Sequence, residues 1–98
     1  MIIVQAKAIP KDVEALDKII VSAENLIKNT RAEEGNISYN LYSNVEDDSL
    51  LFVEFWKSKE DLEIHLETDH FIKFGEEIAD YLECELVIDV FDSKTIEL

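Results

Sequence analysis

The hydrophobic and polar positions of this chain change period several times, and each change predicts a secondary-structure element. Residues 2–9 are mostly apolar, as in a strand, and Pro10 ends this run. Over residues 11–31, apolar side chains recur every three or four positions, which is the spacing of an amphipathic helix. The buried stripe of this helix is predicted to contain Val13, Leu16, Ile19, Ile20, Ala23, Leu26 and Ile27.

A hairpin is predicted after this helix. Gly35 is expected to end the helix in the left-handed conformation, which glycine adopts at little cost. Residues 37–42 alternate apolar and polar side chains, and residues 50–56 return as a second strand of the hairpin. The polar residues 44–48 form the turn between them.

Two shorter helices and a last strand are predicted in the second half. Ser58 can cap a short helix, and another helix begins near Thr68 or Asp69. Residues 86–91 form the fourth strand, and residues 93–98 offer a short fifth piece. The order β-α-β-β-α-β predicts an α+β, ferredoxin-like fold with an antiparallel sheet. The inward side chains of the last helix are predicted to be Phe71, Phe74, Ile78 and Tyr81 or Leu82.

The strands are apolar on both faces, and this pattern predicts a homodimer. A sheet with helices on one face should alternate apolar and polar side chains, because its other face meets water. Residues 2–4, 50–53 and 86–88 do not alternate. A second copy of the same sheet is the simplest cover for that face. We therefore expect one domain over residues 1–98 with its core in residues 2–92, paired as a dimeric α+β barrel, and a tail at 93–98 that pairs with the partner.

Charge and cysteine content narrow the classes of partner. The 98 residues include 23 acidic and 9 basic side chains, a net charge of −14, which repels nucleic acid and anionic membrane surfaces. The single cysteine excludes an intrachain disulfide. No apolar run is long enough to cross a bilayer, and the first residues are typical of a strand rather than of a signal peptide. These features predict a cytoplasmic protein.

Two histidines are the candidate catalytic residues. His65 lies on the inward stripe of the short helix, as a general base would, although a core histidine could occupy the same position. The acidic surroundings are expected to raise the pKa of its imidazole above ~6.5. His70, in the first turn of the next helix, is a second proton acceptor or an exposed residue. Their spacing, with no cysteine nearby, is not that of metal ligands, so we expect no metal site.

Further candidates are expected to form the walls of one pocket around these imidazoles. An aromatic wall would stack on a flat substrate, although large rings also serve simply as packing. Tyr39 and Asn40 point to opposite faces of their strand, so at most one of them can line this pocket. The candidate pocket residues are Gln5, Tyr39, Asn40, Glu54, Trp56, Phe71 and Phe74.

Three short motifs carry a resemblance to a known family. Residues 31–39 have the pattern R-x-E-x-G-x-x-x-Y, residues 54–58 have E-x-W-x-S, and residues 65–71 have H-x-x-T-x-H-F. Their order and spacing resemble the antibiotic biosynthesis monooxygenase family, small dimeric α+β barrels, over roughly residues 1–92. The resemblance implies an oxygenase without flavin, heme or metal. In such an enzyme a phenol or quinol deprotonated by a base reduces dioxygen directly.

The branch of the family and the catalytic role are open to alternatives. The heme-degrading branch is expected to have Asn, Trp and His where this chain has Gln5, His65 and Gly75, which makes heme a poor ligand. The net charge also disfavours the phosphorylated substrates of an isomerase branch, although Lys73 could offset it locally. The quinol-monooxygenase-like branch remains, with a small aromatic substrate. The alternatives are an isomerase and a non-catalytic dimeric module that binds a small ligand or serves a stress response.

Overall fold

The fold is described by a computed structural model of residues 1–98. The order of its elements confirms the predicted α+β, ferredoxin-like arrangement, with one short 3₁₀ turn (Ala79–Tyr81) after the last helix. Residues 93–98 form no fifth strand. The elements are β1 (Ile2–Ala8), α1 (Val13–Arg31), β2 (Asn36–Ser43), β3 (Leu50–Trp56), α2 (Lys59–Leu66), α3 (Asp69–Ile78) and β4 (Val87–Asp92).

The four strands form one antiparallel sheet in the order β2-β3-β1-β4. The helices cover one face, which we call the inner face; it carries alternate residues of each strand, beginning with Ile2 in β1. The register aligns Tyr39, Glu54, Val4 and Val90 in one row across that face. This row places a phenol and a carboxyl group among apolar neighbours at the middle of the sheet.

The stripe that helix α1 turns towards the core overlaps most of the predicted one but is rotated away from two of its residues. Val13 and Ile20, expected inside, are exposed, and the stripe is centred on smaller side chains. Alanine at two of these positions lets the helix pack close to its neighbours, and Asp12 fixes where the helix starts by accepting a hydrogen bond from the amide of Ala15 at 2.7 Å. The buried residues of α1 are Ala15, Ile19, Ala23, Leu26 and Thr30.

Gly35 has a different role from the expected one. The helix ends at Arg31 with Ala32 in the right-handed helical conformation, and no glycine has a positive φ, so the prediction of a left-handed stop is wrong. A side chain at position 35 would instead overlap that of Asp61 in α2. Glycine is required here for space. The close approach brings the loop at 32–35, and with it Glu33, against the second half of the chain.

The opposite face of the sheet, which we call the outer face, is not covered by any helix. It carries apolar side chains of three strands: Ile3, Phe55 and Phe91 lie in one row, and Val53 lies opposite Gln5 in the next. The two-sided apolar character expected from the sequence is therefore present in the folded chain. No helix of the structure is both long and apolar enough to cross a membrane.

Candidate functional site

An apolar cavity of about 110 Å³ lies between the inner face of the sheet and helices α2 and α3. Ile88 and Val90, on the inner face of β4, are about half exposed (49% and 53%), so the cavity opens along this strand. Only three of its lining side chains can ionise: Tyr39, Glu54 and His65. The lining residues are Val4, Ala6, Leu26, Tyr39, Phe52, Glu54, Leu62, His65, Leu66, Phe71, Phe74, Gly75, Leu86, Ile88 and Val90.

His65 is held on the cavity wall by the short helix α2. Ser58 caps this helix by accepting a hydrogen bond from the amide of Asp61 at 3.2 Å, and the inward side chains one turn apart are Leu62 and His65. The imidazole is 1% exposed. Its ring centre lies 4.6 Å from that of Trp56 and 5.1 Å from that of Phe71. Aromatic packing therefore fixes the plane of the imidazole.

One carboxylate oxygen connects the two histidines. Glu33 Oε2 lies 2.7 Å from His65 Nδ1 and 2.8 Å from His70 Nε2. A carboxylate only accepts hydrogen bonds, so both imidazole nitrogens donate. His65 is then protonated on Nδ1, and its buried Nε2, which has no hydrogen-bond partner, carries a lone pair. The ring on the cavity wall thus has one free polar atom, and that atom is a proton acceptor.

Helix α3 begins where it can bring His70 to the same carboxylate. The side chain of Thr68 accepts a hydrogen bond from the amide of Phe71 at 3.3 Å and donates one to the carbonyl oxygen of His65 at 2.7 Å. These two hydrogen bonds of one hydroxyl group connect the end of α2 to the start of α3. Neither Glu33 nor His70 lines the cavity, and their side chains are 13% and 18% exposed.

Burial shifts the pKa of all three ionisable side chains that line the cavity. Desolvation lowers the pKa of His65 from its usual 6.5, and the hydrogen bond and charge of Glu33 only partly oppose this. The expectation that acidic surroundings raise this pKa is therefore wrong, because the cost of burying a charged ring is larger. The same desolvation, with a contribution from the charge of Glu33, raises the pKa of Glu54 to about 7. Burial and the two glutamates also raise the pKa of the Tyr39 phenol.

Trp56 lies behind the cavity wall and not on it. It is fully buried, its indole nitrogen donates a hydrogen bond to Glu54 Oε1 at 3.0 Å, and its ring packs on His65. One side chain therefore contacts two of the three ionisable groups of the cavity. Its role in this geometry is to hold them and not to stack on a substrate.

The cluster of Glu33, His65 and His70 is also the one place where a metal ion could find several ligands. One donor atom from each side chain lies within 4.8 Å of the others, although the histidine spacing alone gave no such geometry. Two of these separations are hydrogen-bond distances through a single oxygen. We interpret the arrangement as a hydrogen-bonded cluster on the far side of the His65 ring from the cavity.

Comparison with known proteins shows the family of this chain. The antibiotic biosynthesis monooxygenase family matches residues 1–77. The chain belongs to this family. It is 36% identical over 75 residues to the Bacillus subtilis (strain 168) protein named "Putative monooxygenase YcnE", a match that covers 76% of the chain and 78% of that protein. These names support a monooxygenase-like function.

Solved structures similar to this chain have the same fold. A crystal structure of an antibiotic biosynthesis monooxygenase superposes with a TM-score of 0.88 at 25% identity, covering 97% of this chain and 100% of the other. A conserved protein of Methanosarcina mazei Go1 superposes with a TM-score of 0.90 at 30% identity, covering 95% of this chain and 92% of that one. The fold predicted from the family resemblance is thereby confirmed.

Within this family fold, the candidate residues separate into two groups. Tyr39, Glu54, His65, Phe71 and Phe74 meet at the cavity. The remaining candidates are elsewhere.

Besides Trp56, three candidates lie off the cavity for identifiable reasons. Gln5 is exposed on the outer face, one residue out of phase with the inner-face positions of β1. Asn40 shares that face and accepts a hydrogen bond from the Arg31 guanidinium at 2.9 Å. His70 contacts Glu33 beyond the cavity wall. Gln5 and Asn40 are therefore corrected from pocket residues to outer-face residues.

Glu33 is the site residue that pattern reasoning missed. It lies in a turn, where no periodicity marks an inward side chain, and it is separated from its partners by 32 and 37 positions. The one signal for it is its place in the R-x-E-x-G motif.

Proposed function

We propose that this chain is a cofactor-independent monooxygenase that oxidises a small phenol or quinol with dioxygen. The observation that carries the proposal is the arrangement of His65, which is buried on the wall of an apolar cavity with Nδ1 bound to Glu33 and Nε2 free. A base held in one tautomer and kept neutral by burial is suited to deprotonate a phenol at neutral pH.

The cavity favours a single aromatic ring. Its volume of about 110 Å³ is of the order of the ~150 Å³ cavity that accepts benzene in an engineered protein. Phe71 and Phe74 line the space without filling it, and it reaches His65. An open cavity in contact with a base supports an enzyme over a ligand-binding module with a packed interior.

The reaction balances with dioxygen as the oxidant. His65 Nε2 takes the hydroxyl proton of the phenol, and the phenolate passes electrons to dioxygen as a carbon–oxygen bond forms. Cleavage of the oxygen–oxygen bond then leaves one oxygen on the ring as a quinone carbonyl and releases the other as water. The protein supplies the base, the orientation and an apolar environment.

The outer face supports assembly into a homodimer. Its apolar side chains, among them Val53, Phe55 and Phe91, have no cover within the chain. A second copy presents the same surface and can cover it by twofold symmetry. We propose that each copy is one domain over residues 1–98 and that the tail at 93–98 pairs with the partner's sheet.

The direct test is oxygen uptake by metal-free protein with a panel of monocyclic phenols and quinols. We expect uptake of one dioxygen for each quinone formed, with one atom of ¹⁸O₂ in the product. His65→Asn should abolish most of the uptake. Tight binding of these compounds without oxygen uptake would instead identify a non-catalytic binding module, and uptake that begins only after a metal ion is added would identify a metal-dependent enzyme.

A further inference from the structure

Burying a carboxyl group beside an apolar cavity costs free energy, so its presence there calls for a functional explanation. Glu54 lies at the middle of the inner face, 5% exposed, between Tyr39 and Val4 in the register of the sheet. Neither lysine nor arginine forms an ion pair with it. Its only hydrogen bond comes from the Trp56 indole, to one of its two oxygens. A glutamine would satisfy that indole equally well at a lower cost of burial.

We propose that Glu54 is a second acid–base residue of this cavity, which gives a proton to the oxygen derived from dioxygen and then removes one from the oxygenated ring carbon. The role rests on the proposed monooxygenase function. It requires that Glu54 line the same space as His65, which it does, and that one carboxyl oxygen be left free by Trp56.

Two groups lining the cavity can divide the proton transfers of this reaction between them. His65 takes the phenol proton, and addition of dioxygen leaves a negative peroxide oxygen on the ring carbon. The Glu54 carboxylic acid protonates this oxygen, and the resulting carboxylate removes the C–H proton of the same carbon as the carbonyl forms and the oxygen–oxygen bond breaks. The departing hydroxide takes the proton from the His65 imidazolium and leaves as water. Both residues are then back in their starting forms, with no net proton exchange with solvent.

The electrostatics of the cavity are compatible with this cycle. Burial raises the pKa of Glu54 to about 7, with a contribution from the charge of Glu33 and with the Trp56 hydrogen bond opposing it. Near neutral pH the carboxyl group is therefore present in both forms. The titratable groups that face it are Tyr39 from β2, His65 from α2 and Glu33 from the turn before β2. None of them is a lysine or arginine that would keep it ionised.

The first experiment is independent of any substrate. Infrared difference spectra of the whole protein should contain the carbonyl band of a protonated carboxyl group that disappears as pH rises through about 7. Glu54→Gln should remove the band, whereas Glu14→Gln, a change of an exposed carboxylate on helix α1, should retain it. Trp56→Phe, which removes the hydrogen bond that favours the ionised form, should move the band's midpoint to higher pH. Absence of the band near neutral pH would overturn the proposal.

The second experiment separates the role of Glu54 from that of His65. With a substrate that the wild type oxidises, Glu54→Gln should lower turnover by ~10²-fold or more while the phenolate still forms on binding without oxygen. His65→Asn should prevent phenolate formation. Turnover of Glu54→Gln equal to that of the wild type would overturn the proposal and leave the monooxygenase standing. A wild type that shows the band but oxidises none of the panel would overturn the proposed function, and the catalytic role of Glu54 with it.

Discussion

The two faces of the sheet carry similar residues in very different states. On the inner face, Tyr39 and Glu54 are buried among apolar side chains, and both have a raised pKa. On the outer face, Gln5 is exposed and Asn40 binds the guanidinium of Arg31. Neighbouring positions of the same strands therefore differ because helices cover only one face. A polar residue type does not make a site in this fold; the site requires burial beside the cavity.

The largest expected effect is on the inner face, at the base itself. Replacing His65 with Asn should retain the fold and lower turnover by ~10²–10⁴-fold, the usual contribution of a positioned general base. Activity of the wild type should rise with pH as His65 loses its proton, with a midpoint below 6.5, and fall again as Glu54 ionises near pH 7. Steady-state oxygen uptake from pH 4.5 to 9 measures both limbs. Unchanged turnover in the variant would show that His65 only packs the core.

The next effect concerns the carboxylate that orients this base. Glu33→Gln replaces a charged acceptor with a neutral one and should lower turnover by about 10–100-fold, because a hydrogen bond to a charged group contributes ~1.5–3 kcal/mol. Glu34→Gln, its exposed neighbour, is the matched control and should remain near the wild-type rate. Equal rates for the two variants would show that the bond at 2.7 Å between Glu33 and His65 has no part in turnover.

The burial of Glu54 should also affect how the free energy of unfolding changes with pH. The folded protein keeps the proton of Glu54 up to about pH 7, whereas an unfolded glutamate loses it near 4.5. Stability is therefore lost as pH rises through this window, by up to about 3 kcal/mol. Glu54→Gln lacks this loss, so its free energy of unfolding should increase relative to that of the wild type between pH 5 and 8. His65 acts in the opposite direction but is present in both proteins. Urea unfolding at several pH values tests this, and a constant difference would contradict it.

On the outer face, the expected effect is on assembly. Phe55→Glu should weaken dimerisation by about 30-fold or more, because it places a charge in an apolar interface. Val21→Glu is a suitable control, since Val21 is an exposed apolar residue on α1. Sedimentation at micromolar concentrations compares the two. A wild type found only at 11.3 kDa would refute the dimer.

The smallest effect is expected at Gln5. It is polar and close in sequence to the inner-face residue Val4, but it is exposed on the outer face. Gln5→Ala should change turnover by no more than about twofold (~0.5 kcal/mol), because its side chain lies on the opposite face of the sheet from the cavity. A larger loss in the kinetic constants would show that the outer face takes part in the chemistry.

The local pattern of the sequence was sufficient for the elements and for part of the site. Strand and helix periods predicted the fold, and the two-residue spacing of Glu54 and Trp56 put them on one face, where they form a hydrogen bond at 3.0 Å. The inward position of His65 followed from the spacing of α2. These features depend on neighbours a few residues apart, whose geometry is fixed by the backbone conformation.

The tertiary structure decided what those residues can do. Glu33 reaches His65 and His70 only because Gly35 allows its loop to pack against Asp61. Strand register decides that Tyr39, and not Asn40, faces the cavity, and it places Tyr39 beside Glu54. The pKa of His65 is lowered and not raised because desolvation outweighs nearby charge, and desolvation depends on how completely the chain encloses a group. The period of hydrophobic residues in the sequence indicates which side chains point towards the core. Which groups they contact, and how deeply they are buried, depends on packing between segments that are distant along the chain.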